Sequence, residues 1–263
     1  MDDVLQSDDR ADENKAASTR TSAPLVSLAR VNKVYGGPVL GVHALHDIDL
    51  HVERGEIVSV CGPCGSGKTS LLNVAGMLDT ASEGNVVIAS LLVSKLSEQA
   101  RADLRSEMVG FVFQAFSLIP VMTARENVLL PLLLRARLER SELAAAHARA
   151  DALLAQLGLT PQSSHYPPRL DASQSQRVAI ARALVTRPRL VIADEPTSRL
   201  ESGTIRQVMD LFARYQQEHG TAFLISTRDQ RQLSRVTRTL QLNEGRLLPE
   251  PTMRGRRPAG SAR

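Results

Sequence analysis

Gly62-Pro63-Cys64-Gly65-Ser66-Gly67-Lys68-Thr69 satisfies G-x-x-x-x-G-K-[ST] at every fixed position, and Ser70 follows it directly. Residue types at this spacing handle polyphosphates. Glycines let backbone N–H groups turn inward on phosphate oxygens, and a following helix N-terminus adds partial positive charge. Lys68 supplies a point charge to the terminal phosphates, and the Thr69 hydroxyl is placed to ligate Mg²⁺. The flanks give the context that the motif needs. Glu56 to Val60 is an apolar run of strand length, and Ser70 to Leu78 is apolar at helical spacing. The stretch from Gly62 to Ser70 is therefore expected to bind a nucleoside triphosphate, with ATP and Mg²⁺ as the ligands.

A second group of residues fits the same chemistry. Leu190 to Ala193 is a buried-strand run ending in Asp194-Glu195-Pro196. Asp194 stands where a Mg²⁺-binding carboxylate belongs in a loop NTPase, and Glu195 would act as base or water-orienting group for attack on the γ-phosphate. Gln114, after the apolar Val109 to Phe113, is a neutral side chain able to reach the metal or the water. Cys61-Gly62-Pro63-Cys64 also has the letters of a dithiol redox site. Two readings stand beside each other there. Either Cys61 ends a buried strand and Cys64 fills a small-residue slot, or a disulfide between them gates the nucleotide loop.

The elements that must position these residues are legible as apolar runs. Leu25 to Val31 and Val42 to Val52 alternate, with the even positions from His46 to Val52 facing away from Asp47, Asp49 and His51. With Gly36-Gly37-Pro38 between them, they suggest an antiparallel subdomain ahead of the loop strand. Glu98 to Met108 is expected to be helical and Val109 to Phe113 a strand. Thr123 to Gly158 and Ser173 to Thr186 have helical spacing, Thr221 to Ser226 reads as a strand, and Thr237 to Leu248 holds two short strands around Asn243-Glu244-Gly245. Strands alternating with helices predict an α/β fold with a mostly parallel sheet. The expected organisation is a polar, disordered tail over 1–24, a nucleotide-binding domain over 25–249 with a helical subdomain at about 115–189, and a basic disordered tail over 250–263.

Composition bounds the partners. The 263 residues carry a net charge of +4 but only 3% aromatics, and no basic run is interleaved with stacking rings, which argues against a nucleic-acid platform. Two cysteines, both beside the loop, suit a reducing compartment. No apolar h-region opens the chain and no run approaches the ~20 residues that span a bilayer. The expectation is a soluble, cytoplasmic protein that would serve a membrane only through a partner.

Taken together, Tyr35, Gly62 to Thr69, Gln114, Gln174 to Leu184 and Leu190 to Thr197 resemble an ABC-transporter ATPase subunit over roughly residues 25 to 248. Val109 to Pro120 and Thr123 to Pro131 are similar to the macrolide-export and lipoprotein-release subgroup. The resemblance implies a P-loop NTPase of ABC type, paired head to tail with a second ATPase subunit beneath two membrane subunits. It implies that Tyr35 stacks on adenine, that Asp171, Ser173 and Gln174 lie in the signature motif facing the partner's ATP, and that membrane subunits dock in a groove near Gln114. The protein would then sit at the inner face of the plasma membrane.

Three positions depart from the family pattern. The signature reads Leu170-Asp171-Ala172-Ser173-Gln174 instead of Leu-Ser-Gly-Gly-Gln. An ionised Asp171 cannot donate to phosphate, and two unit charges ~4 Å apart repel by about 4 kcal/mol at an effective dielectric of ~20. Asp171 with Gln174 three residues on also reads as an N-cap approximating a capping box. Ser226-Thr227-Arg228-Asp229 replaces the family's Thr-His-Asp; Arg228 grips phosphate but, as a permanent cation, cannot shuttle a proton and is free to pair with Glu195. Ser198-Arg199-Leu200-Glu201 ends in Glu where Asp is usual. The readings are an energising ATPase subunit with slow or partner-dependent hydrolysis, a pseudo-ATPase acting as an ATP-clamped half of a complex, and a soluble ABC protein acting on ribosomes or DNA. The single nucleotide domain speaks against the last.

Overall fold

The computed structural model describes residues 23–36, 41–135, 139–228 and 235–249. The tail over 1–22, the tail over 250–263, Gly37-Pro38 of the first turn and Asp229 lie outside the described residues. In chain order, strands β1 (Val26–Tyr35), β2 (Val42–Val52) and β3 (Ile57–Cys61) lead to helix α1 (Lys68–Ala75). Strands β4 (Glu83–Ile88) and β5 (Leu91–Leu92), helix α2 (Glu98–Met108) and strand β6 (Val109–Val112) follow. Helices α3 (Ala124–Arg135), α4 (Arg140–Gln156) and α5 (Ala172–Leu184) come next, then β7 (Leu190–Asp194), α6 (Ser202–His219), β8 (Ala222–Thr227), β9 (Arg238–Asn243) and β10 (Arg246–Leu247).

Unalternated apolar runs belong to strands covered on both faces, and three of them make the centre of the larger sheet. That sheet has the order β10-β9-β3-β8-β7-β6; it is parallel from β9 to β6, with β10 antiparallel at one edge. Period-2 alternation divides the side chains of these strands between two cores. Ile57, Val191, Ala193, Phe223 and Ile225 join Phe212 and the helical layer. Val58, Val60, Leu190, Ile192 and Leu224 join α1 and the second sheet. That second sheet is antiparallel, in the order β2-β1-β4-β5. The α/β architecture with a mostly parallel sheet, an antiparallel sheet and inserted helices is the one the sequence predicts.

Several details differ. Helix α1 starts at Lys68 and not Ser70, because Gly67 occupies the N-cap in a left-handed conformation, and it stops at Gly76, where a Cβ would lie 2.7 Å from the Phe111 ring. In β2 the alternation holds from Ile48 to Val52, but Leu45, not His46, is buried. The pairing shifts register between Val31↔Ile48 and Lys33↔Leu45, with Asp47 at φ 45°. Strand β4 is absent from the sequence-based expectation, because the Glu-Gly-Asn opening of Glu83 to Ile88 is poor strand sequence. Helix α6 is absent from it too. Its signal is present nonetheless: Ile205, Val208, Met209, Phe212 and Tyr215 fall at helical spacing and are all buried.

Candidate functional site

Parallel strands bring ligands to their carboxyl ends, and four of those ends carry the residues singled out above. β3 runs into the Gly62–Thr69 loop, β7 ends at Asp194, β8 ends one residue before Arg228, and β6 ends two residues before Gln114. Register makes them level: Cys61 pairs with Thr227, Asp194 with Ser226, and Val112 with Ala193.

The loop has the shape of an anion cradle. Gly65 (φ 76°) and Gly67 (φ 100°) take left-handed conformations. The Lys68 ammonium donates to the carbonyls of Gly62 and Pro63, both at 2.8 Å. Among the described residues the buried Ser66 hydroxyl has no hydrogen-bond partner, an orphan donor within the cradle. Thr69 donates through Oγ1 to Asp194 Oδ2 at 2.8 Å, and Ser226 donates to the other carboxylate oxygen. A hydroxyl beside a carboxylate is a hard oxygen set that fits Mg²⁺, and the Gln114 amide contacts Glu195, the residue after Asp194. Pro63 contributes a carbonyl, and Cys64 is exposed on the loop while Cys61 is buried at the strand end; both thiols are free.

Glu195 sits at φ 48°, its amide donating to Ser226 Oγ at 2.9 Å, and its carboxylate is only 10% exposed. Both carboxylate oxygens are occupied. Arg228 Nε donates to Oε1 at 2.6 Å, and Gln114 Nε2 donates to Oε2 at 3.3 Å. The hydrogen bond to Glu195 and its charge push the Arg228 guanidinium above its ordinary value, so it remains cationic.

Tyr35 stands at the other side of the loop, partly exposed, with Lys33 Nζ 4.7 Å from its ring centroid. Lys33 also donates to Asp79 Oδ1 at 2.6 Å and to the Thr80 carbonyl at 2.9 Å. Burial alone would raise the Asp79 carboxyl, but hydrogen bonds from Lys33 and the Thr80 amide hold it below its ordinary value.

Asp171, Ser173 and Gln174 lie at the start of α5, away from these strand ends in sequence and layer. The capping box is formed: Asp171 Oδ1 accepts from the Gln174 amide at 2.7 Å, and Gln174 Oε1 accepts from the Asp171 amide at 3.0 Å. Asp171→Ala is expected to lower stability by about 1 kcal/mol, the usual cost of a lost N-cap, whereas Asp171→Ser should be near neutral. Urea midpoints of the two variants check this. Glu201 occupies the N-cap of α6 without a side-chain capping bond, and Arg199 lies over the Phe116 ring at 5.1 Å.

Two residues inside the stretches that carry the resemblance, to which the sequence reading gave no individual role, hold the loop after Gln114. The fully buried Asn127 accepts at Oδ1 from the Ile119 amide (2.7 Å) and donates to the carbonyls of Ile119, Met122 and Thr123 at 3.0–3.1 Å. Arg182 of α5 donates to the carbonyls of Phe116 and Ser117, both at 2.6 Å. A polar residue amid the apolar spacing of α3 was the available signal for Asn127. Asn127→Ala leaves buried groups unpaired, and a loss of about 1–3 kcal/mol is expected in equilibrium unfolding.

The sequence model described as "ABC transporter" matches residues 45–198. The chain is 39% identical over 229 residues to the lipoprotein-releasing system ATP-binding protein LolD of Bordetella pertussis, covering 87% of this chain and 97% of that protein. It is 40% identical over 219 residues to the protein of the same name from Bordetella avium, covering 83% and 94%. Among solved structures, the ATP-binding cassette MJ0796, a dimer in a post-hydrolysis state bound to ADP and Pi, superposes with a TM-score of 0.82 at 37% identity, covering 88% of this chain and 99% of that one. CbiO1 from Clostridium perfringens, part of the ABC transporter complex cbiONQ, gives 0.72 at 25% identity, covering 87% and 88%.

Proposed function

The chain belongs to the ABC transporter family, and from its place there as an ATP-binding subunit we propose that it couples ATP binding, with slow or partner-dependent hydrolysis, to membrane subunits. The observation that carries this reading is Glu195: the base is present, but Arg228 and Gln114 engage both of its oxygens. Hydrolysis then requires Arg228 to be drawn off, and the γ-phosphate of bound ATP is a competing anion for the same guanidinium. Lys68 and the loop amides bind the phosphates, Tyr35 stacks on adenine, and Glu195 orients the attacking water. Mg²⁺, held through Thr69, Asp194 and Gln114, neutralises phosphate charge when bound.

Two partners follow from this reading. A second ATPase subunit, identical or different, presents its signature motif to this chain's loop, and this chain's Asp171, Ser173 and Gln174 face the ATP of that subunit. Membrane subunits dock at the segment after Gln114, where Ile119 and Val121 are exposed apolar residues. The chain then works on the cytoplasmic face of the inner membrane; among the described residues no helix is long and apolar enough to cross it. The relatives named for lipoprotein release suggest a complex of that class, as exporter or force-transmitting machine.

A second reading, a pseudo-ATPase that clamps ATP without turning it over, is favoured by the closed capping box of Asp171, which spends the α5 N-terminal amide of Gln174 on the chain itself. Steady-state ATP turnover, measured with the purified chain alone and with its membrane partners, separates the two. The proposal expects slow turnover that Lys68→Ala abolishes and Glu195→Gln lowers by about 100-fold or more, in the range of a lost general base. Nucleotide binding without turnover in any assembly would overturn it in favour of the clamp.

A further inference from the structure

At the opposite end of the sheet from the phosphate loop, a cavity of about 480 Å³ opens between α4 and α6. Its position follows from chain order. Tyr215 to His219 end α6 just before β8 begins at Ala222, and Arg187 lies just before β7 begins at Leu190. Both flank the amino ends of the parallel strands, whereas the loop, Asp194 and Arg228 are at the carboxyl ends. The space exists because α4 turns Ala145, Ala148 and Ala152 toward it, while Leu153 and Leu211 close its floor.

Three guanidinium groups from three elements line this cavity: Arg149 of α4, Arg187 of the turn after α5, and Arg214 of α6. Some arginines of the fold pair with acids, as in Arg125–Asp151, Arg235–Asp210 and Arg238–Glu56, and others, such as Arg135 and Arg182, bond backbone carbonyls. Here, among the described residues, none has a carboxylate partner. Arg149 donates to the Val185 carbonyl at 3.1 Å and Arg214 to Gln156 Oε1 at 3.3 Å, both neutral acceptors, and Glu218 is the one acid in the lining. The buried Tyr215 also lines the cavity: burial raises its phenol, and the positive charges of Arg187, Arg149 and Arg214 pull against that rise. Like charges left uncompensated around a concave surface focus a field that concentrates anions. Planar arginine forks match phosphate oxygens two at a time. The volume falls within the ~300–1,000 Å³ of small-ligand sites.

We propose that this cavity is a second anion site, separate from the phosphate loop, that binds a small phosphorylated anion through Arg149, Arg187 and Arg214. The phosphate could be carried by a free metabolite or by a lipid headgroup.

Isothermal titration of the full chain with inorganic pyrophosphate, its loop first saturated with a non-hydrolysable ATP analogue, tests the proposal. One further saturable site is expected, weakened at least tenfold in Arg187→Gln/Arg214→Gln. Arg187 and Arg214 are exposed, so the double variant should fold, and its thermal melt and ATP-analogue affinity check that it does. Absence of a second site, or binding that the double variant leaves unaltered, would overturn the proposal. Co-sedimentation with vesicles of phosphatidylglycerol and phosphatidylcholine, compared with phosphatidylcholine alone, identifies the source. Sedimentation that the double variant loses marks a lipid headgroup, and pyrophosphate binding without sedimentation marks a free phosphate.

Discussion

Asp171→Ser/Ala172→Gly/Ser173→Gly/Arg228→His is expected to turn over ATP at least tenfold faster than the parent chain. Arg228→His removes the cation that donates to Glu195 Oε1 at 2.6 Å, leaving that oxygen open to a water proton, while Gln114 keeps its hold on Oε2. General-base assistance is worth about 10²–10⁴ in rate, so partial release of a blocked base exceeds tenfold readily. In the proposed head-to-tail pair, the three signature changes act on the facing subunit's ATP. Ser at 171 is as good an N-cap as Asp, so the helix keeps its start while losing the carboxylate, and glycines at 172 and 173 open the amides to a ligand. Residues that act as a unit are non-additive, so the gain of the quadruple variant is expected to differ from the product of the gains of Arg228→His alone and of the signature triple alone. Steady-state rates with nucleotide affinity in parallel decide it. A rise in rate with affinity nearly constant is the expected result. An unchanged rate would mean that the Arg228–Glu195 pair does not restrain the base.

That pair illustrates what the sequence could and could not carry. The phosphate loop, Asp194, Glu195 and Gln114 were legible because each comes at or just after the end of an apolar run of strand length. Parallel strands deliver the residues at their carboxyl ends to one edge of the sheet. The Asp171 cap was legible because a capping box is a local pattern of residues three apart. Helix α6 was overlooked, although its apolar spacing is regular. β4 was hidden by residues that have little strand preference and are held there by pairing with β1, from Val26↔Ile88 to Asn32↔Glu83. Tertiary contacts of this kind leave no local trace. The clamps on the Gln114 loop are similar: Arg182 reaches back 66 residues to Phe116, a separation no window of sequence reveals. The basic cavity between α4 and α6 also assembles residues 149, 187 and 214, which are ordinary surface arginines when met one at a time.

The glycines of the loop are a further case, because the motif assigns them to phosphate while the structure gives two of them a second task. A Cβ on Gly67 would lie 2.4 Å from the carbonyl oxygen of Ala44 in β2, and one on Gly62 would lie 2.1 Å from that of Leu242 in β9. The loop is thus wedged between the antiparallel sheet and the β9–β10 hairpin, whose Gly245 donates to the Ser66 carbonyl at 3.0 Å. A Cβ on Gly65, at φ 76°, would meet nothing within 4 Å. Gly65 and Gly67 therefore separate packing from phosphate binding. Gly65→Ala should lose only the left-handed preference, about 1–2 kcal/mol, and weaken ATP binding more than it weakens the fold. Gly67→Ala meets the same backbone penalty together with a collision against main chain that no rotamer relieves, so a loss of about 3 kcal/mol or more is expected even without nucleotide. Denaturant unfolding of both variants in nucleotide-free buffer makes the comparison. Equal losses would show that β2 yields to the added methyl, and that Gly67 serves the phosphate alone.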